Sequence, residues 1–555
     1  MTWLPSLNTL LLLLVLVLHR PAAAFHVPAS KPASPSKAPK STTILRSAST
    51  STSFDYSMVK GTVDSLPDPS PVDPTYDVFC NRELNMNSLA AIGFDMDYTL
   101  AQYHVPEFDN LAFDGAKQKL VDMGYPEEVL GFTYDPSRWI RGLIIDIKRG
   151  NFLKIDKHKY TRVAYHGSQE MSSEARKALY AQTFNKKDSF GESFYINMDT
   201  LFQIVDAELY SQLIDLKDNN EFEFLDGKTY EEMYRDARAC VDLCHRDGVI
   251  KDEVARNPAK YVVKDPNMVP MLKQYKEKGI KVFLVTNSLW TYTQDVMSFL
   301  VDPEDTESGD WTDLFDLIIV GSCKPAFLVD PRRDLFRVDK ASGQLTNTDG
   351  VYEIAALNPN GATKFLEQGN VFQNGNFNQL AAMLDLDGKA ITGEQILYVG
   401  DHLYSDVLRS KRTLGWRTAL IVPELEEEMK TSESQKETNE EIMKLRKLRE
   451  TISVKANALR LLPSNQENDE QLETLLDSDR KIKEALVDIV GSHHKAYNPI
   501  WGQLFKAGYE DSRFAYYTAN YACLYMTKAS NLRYVSDQRA FRTFSNPLPH
   551  NSATE

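Results

Sequence analysis

The sequence predicts an α/β protein: a doubly wound, parallel sheet with a large insertion after its first strand and a helical extension behind its last. Three observations lead there. Apolar runs at Leu89–Phe94, Ile280–Val285, Leu314–Val320, Gln395–Val399 and Arg417–Val422 have strand length and read as near-continuous hydrophobic stretches, as strands covered on both faces do. The first four stop on polar residues, the pattern of strands that deliver side chains to the carboxyl edge of an open sheet. The stretch between Phe94 and Ile280 is far too long for a single crossover helix, so it folds as a domain of its own.

Composition limits what such a fold does here. With 555 residues the chain holds more than one domain, and 42% hydrophobic content supports a sizeable core. A net charge of −15 excludes an extended nucleic-acid or anionic-membrane surface, so any phosphate must be met locally, by a few placed cations or a metal. The five cysteines form no Cys-x-x-Cys pair and suggest neither a zinc site nor a disulfide framework.

Residues 1–54 read as a leader outside the fold. Leu10–Leu18 is a continuous apolar run of signal-peptide length, and Pro21-Ala-Ala-Ala24 supplies small residues for cleavage. A Ser-, Pro- and Thr-rich tract follows Phe25, with Lys31, Lys37, Lys40 and Arg46 and no acidic residue before Asp55. This arrangement resembles the bipartite plastid-targeting leader of algae with secondary plastids. A plastid location is therefore expected, with secretion as the alternative and no membrane association once the leader is removed. Residues 55–87 read as a Pro- and Asp-rich linker.

The strand ends carry the chemistry. Leu89–Phe94 ends in Asp95-Met-Asp97-Tyr-Thr99; Ile280–Val285 in Thr286-Asn287-Ser288; Leu314–Val320 in Gly321-Ser-Cys-Lys324; Gln395–Val399 in Gly400-Asp401, with Asp406 five residues on. Each alone is weak, since an Asp pair or a Gly-Asp is common turn chemistry. Together, and in this order, they resemble the four motifs of the haloacid-dehalogenase superfamily, which implies a Rossmann-like core and phosphoryl transfer. On that resemblance Asp95 is the nucleophile and Asp97 the general acid and base. Thr286 and Asn287 hold phosphoryl oxygens, and Lys324 neutralises their charge. Magnesium, a hard cation, would take Asp95, the backbone carbonyl of Asp97 and Asp401, with Asp406 supporting its water shell or orienting Lys324.

The resemblance sharpens over Gly93–Ala101, Arg141-Gly142-Leu143, Gly150–Asp156, His166-Gly167, Lys260–Asp265, Gly400-Asp-His402 and Gly415-Trp-Arg-Thr418. These are similar to the cytosolic purine 5′-nucleotidases. That family reads its nucleotide from the cap, which implies Arg238, Asp242, His245 and Lys251 as substrate residues and Phe202 as the ring that stacks on the base. Arg238, Asp242 and His245 fall at i, i+4 and i+7, one helical face. The plainer reading of that face is a solvated i,i+4 ion pair.

Two departures stand out. Arg246 follows His245 where the family has an aromatic residue. The stretch Asn185–Asp199 offers Lys186 and Lys187 but no Arg where the family's effector site has one; the effector aromatic appears as Tyr404 near Asp401, and no allosteric activation is carried over.

The expected organisation is a core at 88–104 and 251–425, a cap at 105–250 and a helical region at 426–545. In the last, Ile442, Leu445, Leu448, Ile452 and Leu459 form one apolar stripe expected to pack on the core. The resemblance implies a magnesium-dependent 5′-nucleotidase acting on purine nucleoside monophosphates, with phosphotransfer to a nucleoside as a second outcome, and a homo-oligomer. The alternatives are a phosphatase of another small monoester and a silent nucleotide-binding scaffold.

Overall fold

The computed structural model describes residues 60, 64–65, 73–181, 192–219, 222–348, 365–384 and 391–543. The chain falls into two compact units, Met1–Pro69 and Ser70–Glu555; of the first, only Lys60, Asp64 and Ser65 are described. The leader at 1–54, and Lys186 and Lys187, lie outside the described residues.

Ten strands form the core sheet: β1 (Phe79–Cys80), β2 (Ala91–Phe94), β3 (Lys281–Val285), β4 (Leu317–Val320), β5 (Leu335–Val338), β6 (Leu345–Asn347), β7 (Val371–Asn374), β8 (Ile396–Gly400), β9 (Arg417–Ile421) and β10 (Leu524–Met526). Their spatial order is β1-β10-β9-β8-β2-β3-β4-β7-β5-β6. The run from β10 to β7 is parallel, and β1, β5 and β6 close the two edges antiparallel. From β2 the chain winds through β3 and β4 towards one edge, then restarts at β8 on the other side of β2. The order thus reverses at β2, and the crevice outside its carboxyl end is where such sheets place their ligands. Gly93 is needed for this packing: a Cβ there would lie 2.1 Å from the ring of Phe283, its register partner on β3.

The insertion leaves the core after Gln102–Tyr103 and returns at Val262–Val263, and these two short strands pair antiparallel. Lys251–Tyr261, read from the sequence as the start of the returning core, therefore sits on the cap side of this hinge; its helices are too short to show a period. The cap packs the helices Glu107–Asp122, Gln203–Asn219 and Tyr230–Arg246 beside a five-stranded antiparallel sheet. In Tyr230–Arg246 a capping box joins Thr229 and Glu232, and Met233, Tyr234, Ala237, Cys240, Val241 and Cys244 form the buried face.

Two expectations are corrected. Residues 426–545 are not helical throughout, because Leu524–Met526 is a core strand, and the linker's Phe79–Cys80 pairs with it. Strands of two or three residues carry no alternation to read. The stripe of Lys436–Arg460 buries Ile442 and Ile452, but Leu448 is exposed; the helix pairs with its antiparallel neighbour Gln466–Ala496, where Arg449 bridges Asp479 at 2.8 and 3.1 Å.

The C-terminal region also fastens the cap. Buried Lys154 of the cap sheet donates to the carbonyls of Trp501 and Gln503. Arg141 lies under the Phe514 ring, grips Glu424 with two hydrogen bonds (2.7 and 2.6 Å) and donates to the Ile421 carbonyl. Arg513 pairs with Asp199 at 2.9 Å.

Candidate active site

Asp95 emerges at the end of β2, its amide bonded to the Val399 carbonyl of β8 at 2.9 Å. Its Oδ1 accepts from the amide of Met96 at 2.8 Å, which turns Oδ2 towards Lys324. The Lys324 ammonium lies 2.9 Å from Asp95 Oδ2, 2.9 Å from Asp406 Oδ1 and 2.9 Å from the Tyr398 hydroxyl. Tyr398, on β8, donates in turn to the Val285 carbonyl at 2.8 Å. All three donors of Lys324 are thus engaged and the ammonium is fixed.

Asn287 is bonded to the loop that carries Lys324. Its Oδ1 accepts from the Lys324 amide (2.6 Å) and from Ser322 (2.9 Å), and its Nδ2 donates to the Lys324 carbonyl (3.2 Å). The carboxamide shapes the loop that presents Lys324. Thr286 is fully buried, and its Oγ1 accepts from the Ser288 amide at 3.1 Å.

Asp401 and Asp406 come from β8 and the wide, π-type helix Leu403–Leu414 that follows it. Gly400 makes room for Asp406, since a Cβ there would meet that carboxylate at 2.5 Å. The cap's Thr200 donates to Asp401 Oδ2 at 3.0 Å, and Arg141 donates to the Asp401 carbonyl at 2.8 Å. Asp95, Asp401 and Asp406 are all buried, and oxygens of the three lie within 4.8 Å of one another.

Burial pushes the carboxyls of Asp95 and Asp401 upward, and the neighbouring carboxylates push the same way; Lys324 opposes this at Asp95, and Arg141 and Thr200 oppose it at Asp401. Of these three buried carboxylates Lys324 touches two, Asp95 and Asp406, and every donor in the trio is a hard oxygen. That set fits a magnesium ion, which would hold the carboxylates ionised. Asp95 and Asp401 are the residues that would bind it, with Asp406 beside them on Lys324.

Asp97 also pushes the Asp95 carboxyl upward, and its own carboxylate is held by other partners. Its Oδ2 accepts from Ser288 Oγ at 2.7 Å and its Oδ1 from the Tyr103 hydroxyl, which lies 3.1 Å from the Tyr292 hydroxyl. The Lys251 ammonium sits 5.5 Å over the Tyr292 ring; burial lowers its pKa, and Asp97 opposes the fall.

The cap residues named from the sequence gather on this side. Phe202 packs edge-on against Tyr98 (4.8 Å) and His245 (5.5 Å). Arg238 pairs with Asp242 at 2.7 Å, the ion pair of the plainer reading, but also with Asp206 at 2.6 Å. Asp206 has a fully buried side chain; burial raises it to about 6 against the pull of Arg238, and its Oδ1 has no hydrogen-bond partner among the described residues. His245 is driven down to about 4 by burial first, then by Arg238 and Lys251. It is a neutral imidazole at physiological pH.

Arg246 is exposed at the end of the helix. Tyr404 accepts from Arg409 at 2.8 Å and lies under that guanidinium. Sequence reasoning missed Tyr398, Thr200, Tyr103, Tyr292 and Asp206. Only Tyr103 lay close enough in sequence to the first motif to draw attention.

The chain is 29% identical over 363 residues to human 5′-nucleotidase domain-containing protein 2, a match that spans 64% of this chain and 64% of that protein's length. Among solved structures, a β-phosphoglucomutase from Pyrococcus sp. strain ST 04 and a predicted phosphoglycolate phosphatase from Haemophilus somnus each share 12% identity, over 60% of this chain and 86% of theirs, with TM-scores of 0.24 and 0.23. The sequence model of the 5′ nucleotidase family matches residues 78–553, nearly the whole described unit. The chain belongs to the 5′ nucleotidase family.

Proposed function

We propose that this protein hydrolyses nucleoside 5′-monophosphates, purine nucleotides among them, to nucleoside and phosphate, with magnesium as cofactor. The observation that carries the reading is the Asp95 carboxylate: it sits at the carboxyl end of the central strand, 2.9 Å from Lys324, in a buried trio with Asp401 and Asp406. Bound magnesium would offset the charge that otherwise repels a carboxylate from a phosphate.

The chain's own residues do the rest. Asp95 attacks phosphorus, forming an aspartyl-phosphate as the bond to the nucleoside 5′-oxygen breaks. Asp97 gives that oxygen its proton, then takes one from the water that attacks phosphorus and breaks the Asp95–phosphorus bond. Lys324 stabilises the charge on the phosphoryl oxygens. On the cap, Phe202 offers a ring face or edge to the base. The partly exposed Arg238–Asp242 pair offers a donor and an acceptor to its polar edge. A nucleoside that replaces water in the second step would be phosphorylated instead.

Phosphate release from a panel of nucleoside monophosphates and sugar phosphates, with magnesium, tests the reading. Nucleotides should be preferred, and Asp95→Asn should abolish release. Equal release by both proteins would refute the mechanism, and a sugar-phosphate preference would refute the substrate. We also propose a homo-oligomer and plastid delivery. The oligomer is tested by sedimentation. Plastid delivery is tested by fusing residues 1–60 to a fluorescent reporter, where secretion of the fusion would overturn it.

A further inference from the structure

Asp97 has both carboxylate oxygens occupied. Ser288 Oγ lies 2.7 Å from Oδ2, and the Tyr103 hydroxyl donates to Oδ1. Tyr103 gives its one proton to Asp97, so at its 3.1 Å contact with Tyr292 it is the acceptor and Tyr292 the donor. The two hydroxyls form a directed chain, Tyr292 to Tyr103 to Asp97, in which each bond strengthens the next.

Both rings are buried and held. Tyr103 stacks on Phe108 with centroids 4.1 Å apart and meets the edge of Tyr98 at 5.1 Å. Its backbone pairs with Val262 in the hinge between core and cap.

We infer that Tyr103 is the positioning residue for the proton carried by Asp97, an inference that rests on the phosphatase reading above. Ser288 reverses its hydroxyl by turning alone, whereas Tyr103 becomes an acceptor only if Tyr292 reverses with it. Oδ1 therefore stays an acceptor through the cycle, and the travelling proton is confined to Oδ2. In the first half-reaction the Asp95–phosphorus bond forms and the bond to the leaving oxygen breaks, and that oxygen takes the Oδ2 proton. In the second, water forms its bond to phosphorus, the Asp95–phosphorus bond breaks, and Oδ2 recovers a proton from the water.

The test compares leaving groups in the full chain carrying Tyr103→Phe, which removes the hydroxyl and keeps the stacked ring. A nucleoside 5′-oxygen needs a proton to leave; 4-nitrophenolate does not. In single-turnover experiments with magnesium, release of nucleoside should slow roughly tenfold, a fraction of what a complete general acid supplies, while the nitrophenolate burst keeps its wild-type rate and KM is unchanged. Tyr292→Phe, which breaks the chain one step further out, should show a smaller loss of the same selectivity, and it carries the test if Tyr103→Phe does not fold.

Equal slowing of both leaving groups, or of neither, overturns the inference. If the wild type releases no nucleoside at all, the substrate reading fails instead, and an alkyl phosphate takes the nucleotide's place in the same comparison.

Discussion

Lys154 makes the fastening of the cap measurable. Its amine is buried where the cap sheet meets the C-terminal region, donating to the carbonyls of Trp501 and, at 2.5 Å, Gln503. Burial lowers it from 10.5 to about 7, with Glu428 pulling the other way. Holding the charged form in that place costs about 5 kcal/mol. Unfolded, the same amine titrates near its ordinary value, so between about 7 and 10.5 the folded chain binds fewer protons than the unfolded one. Stability from this group therefore rises with pH across that window, by about 2 kcal/mol from pH 7 to pH 9, once its half-neutral state at the lower pH is allowed for. His494, the titratable neighbour on the helix Gln466–Ala496, is pushed down by burial and stays neutral throughout.

Lys154→Met supplies the reference. It keeps the aliphatic stem and leaves two carbonyls bare, a loss of about 1–3 kcal/mol each that does not depend on pH. Urea midpoints followed by tryptophan fluorescence, at both pH values and for both proteins, give the comparison. The wild type should gain about 2 kcal/mol on the variant between them. A difference between the two proteins that is the same at pH 7 and pH 9 would refute the argument that this amine is buried and shedding its proton.

The remaining predictions concern the site. Asp406→Asn takes one carboxylate from Lys324 and from the buried trio; it should weaken magnesium affinity by about 10- to 100-fold, read as the magnesium dependence of the melting temperature. Arg238→Ala leaves Asp206 buried without its counter-charge. It should cost about 3 kcal/mol of stability and raise KM for nucleotides with kcat nearly held, checked by thermal melting and steady-state kinetics. An unchanged KM would remove Arg238 from the substrate site.

Much of the core was legible because strand ends concentrate information. Asp95, Lys324 and Asp401 each follow an apolar run, and the register of β2 with β8 and, through β3, with β4 brings those runs level. What escaped was whatever depends on contacts between distant segments. Tyr398 looks like an ordinary strand residue, yet its hydroxyl braces Lys324. Thr200 belongs to the cap but reaches a candidate metal ligand. Asn287 carries the residue type expected at a phosphate, and only its partners show that it builds a loop. The i,i+4 spacing of Arg238 and Asp242 was readable; the buried Asp206 that shares the guanidinium was not, because nothing in its local sequence marks it.

The tail of the chain is rigging for everything upstream of it. Leu524–Met526 lies in the main sheet, while Trp501, Gln503 and Arg513 hold the lid from outside. A protein shortened before residue 500 would lose a plank of its floor and the stays of its roof together. The cap that carries Thr200 is thus held by a segment that follows nearly all of the core in sequence.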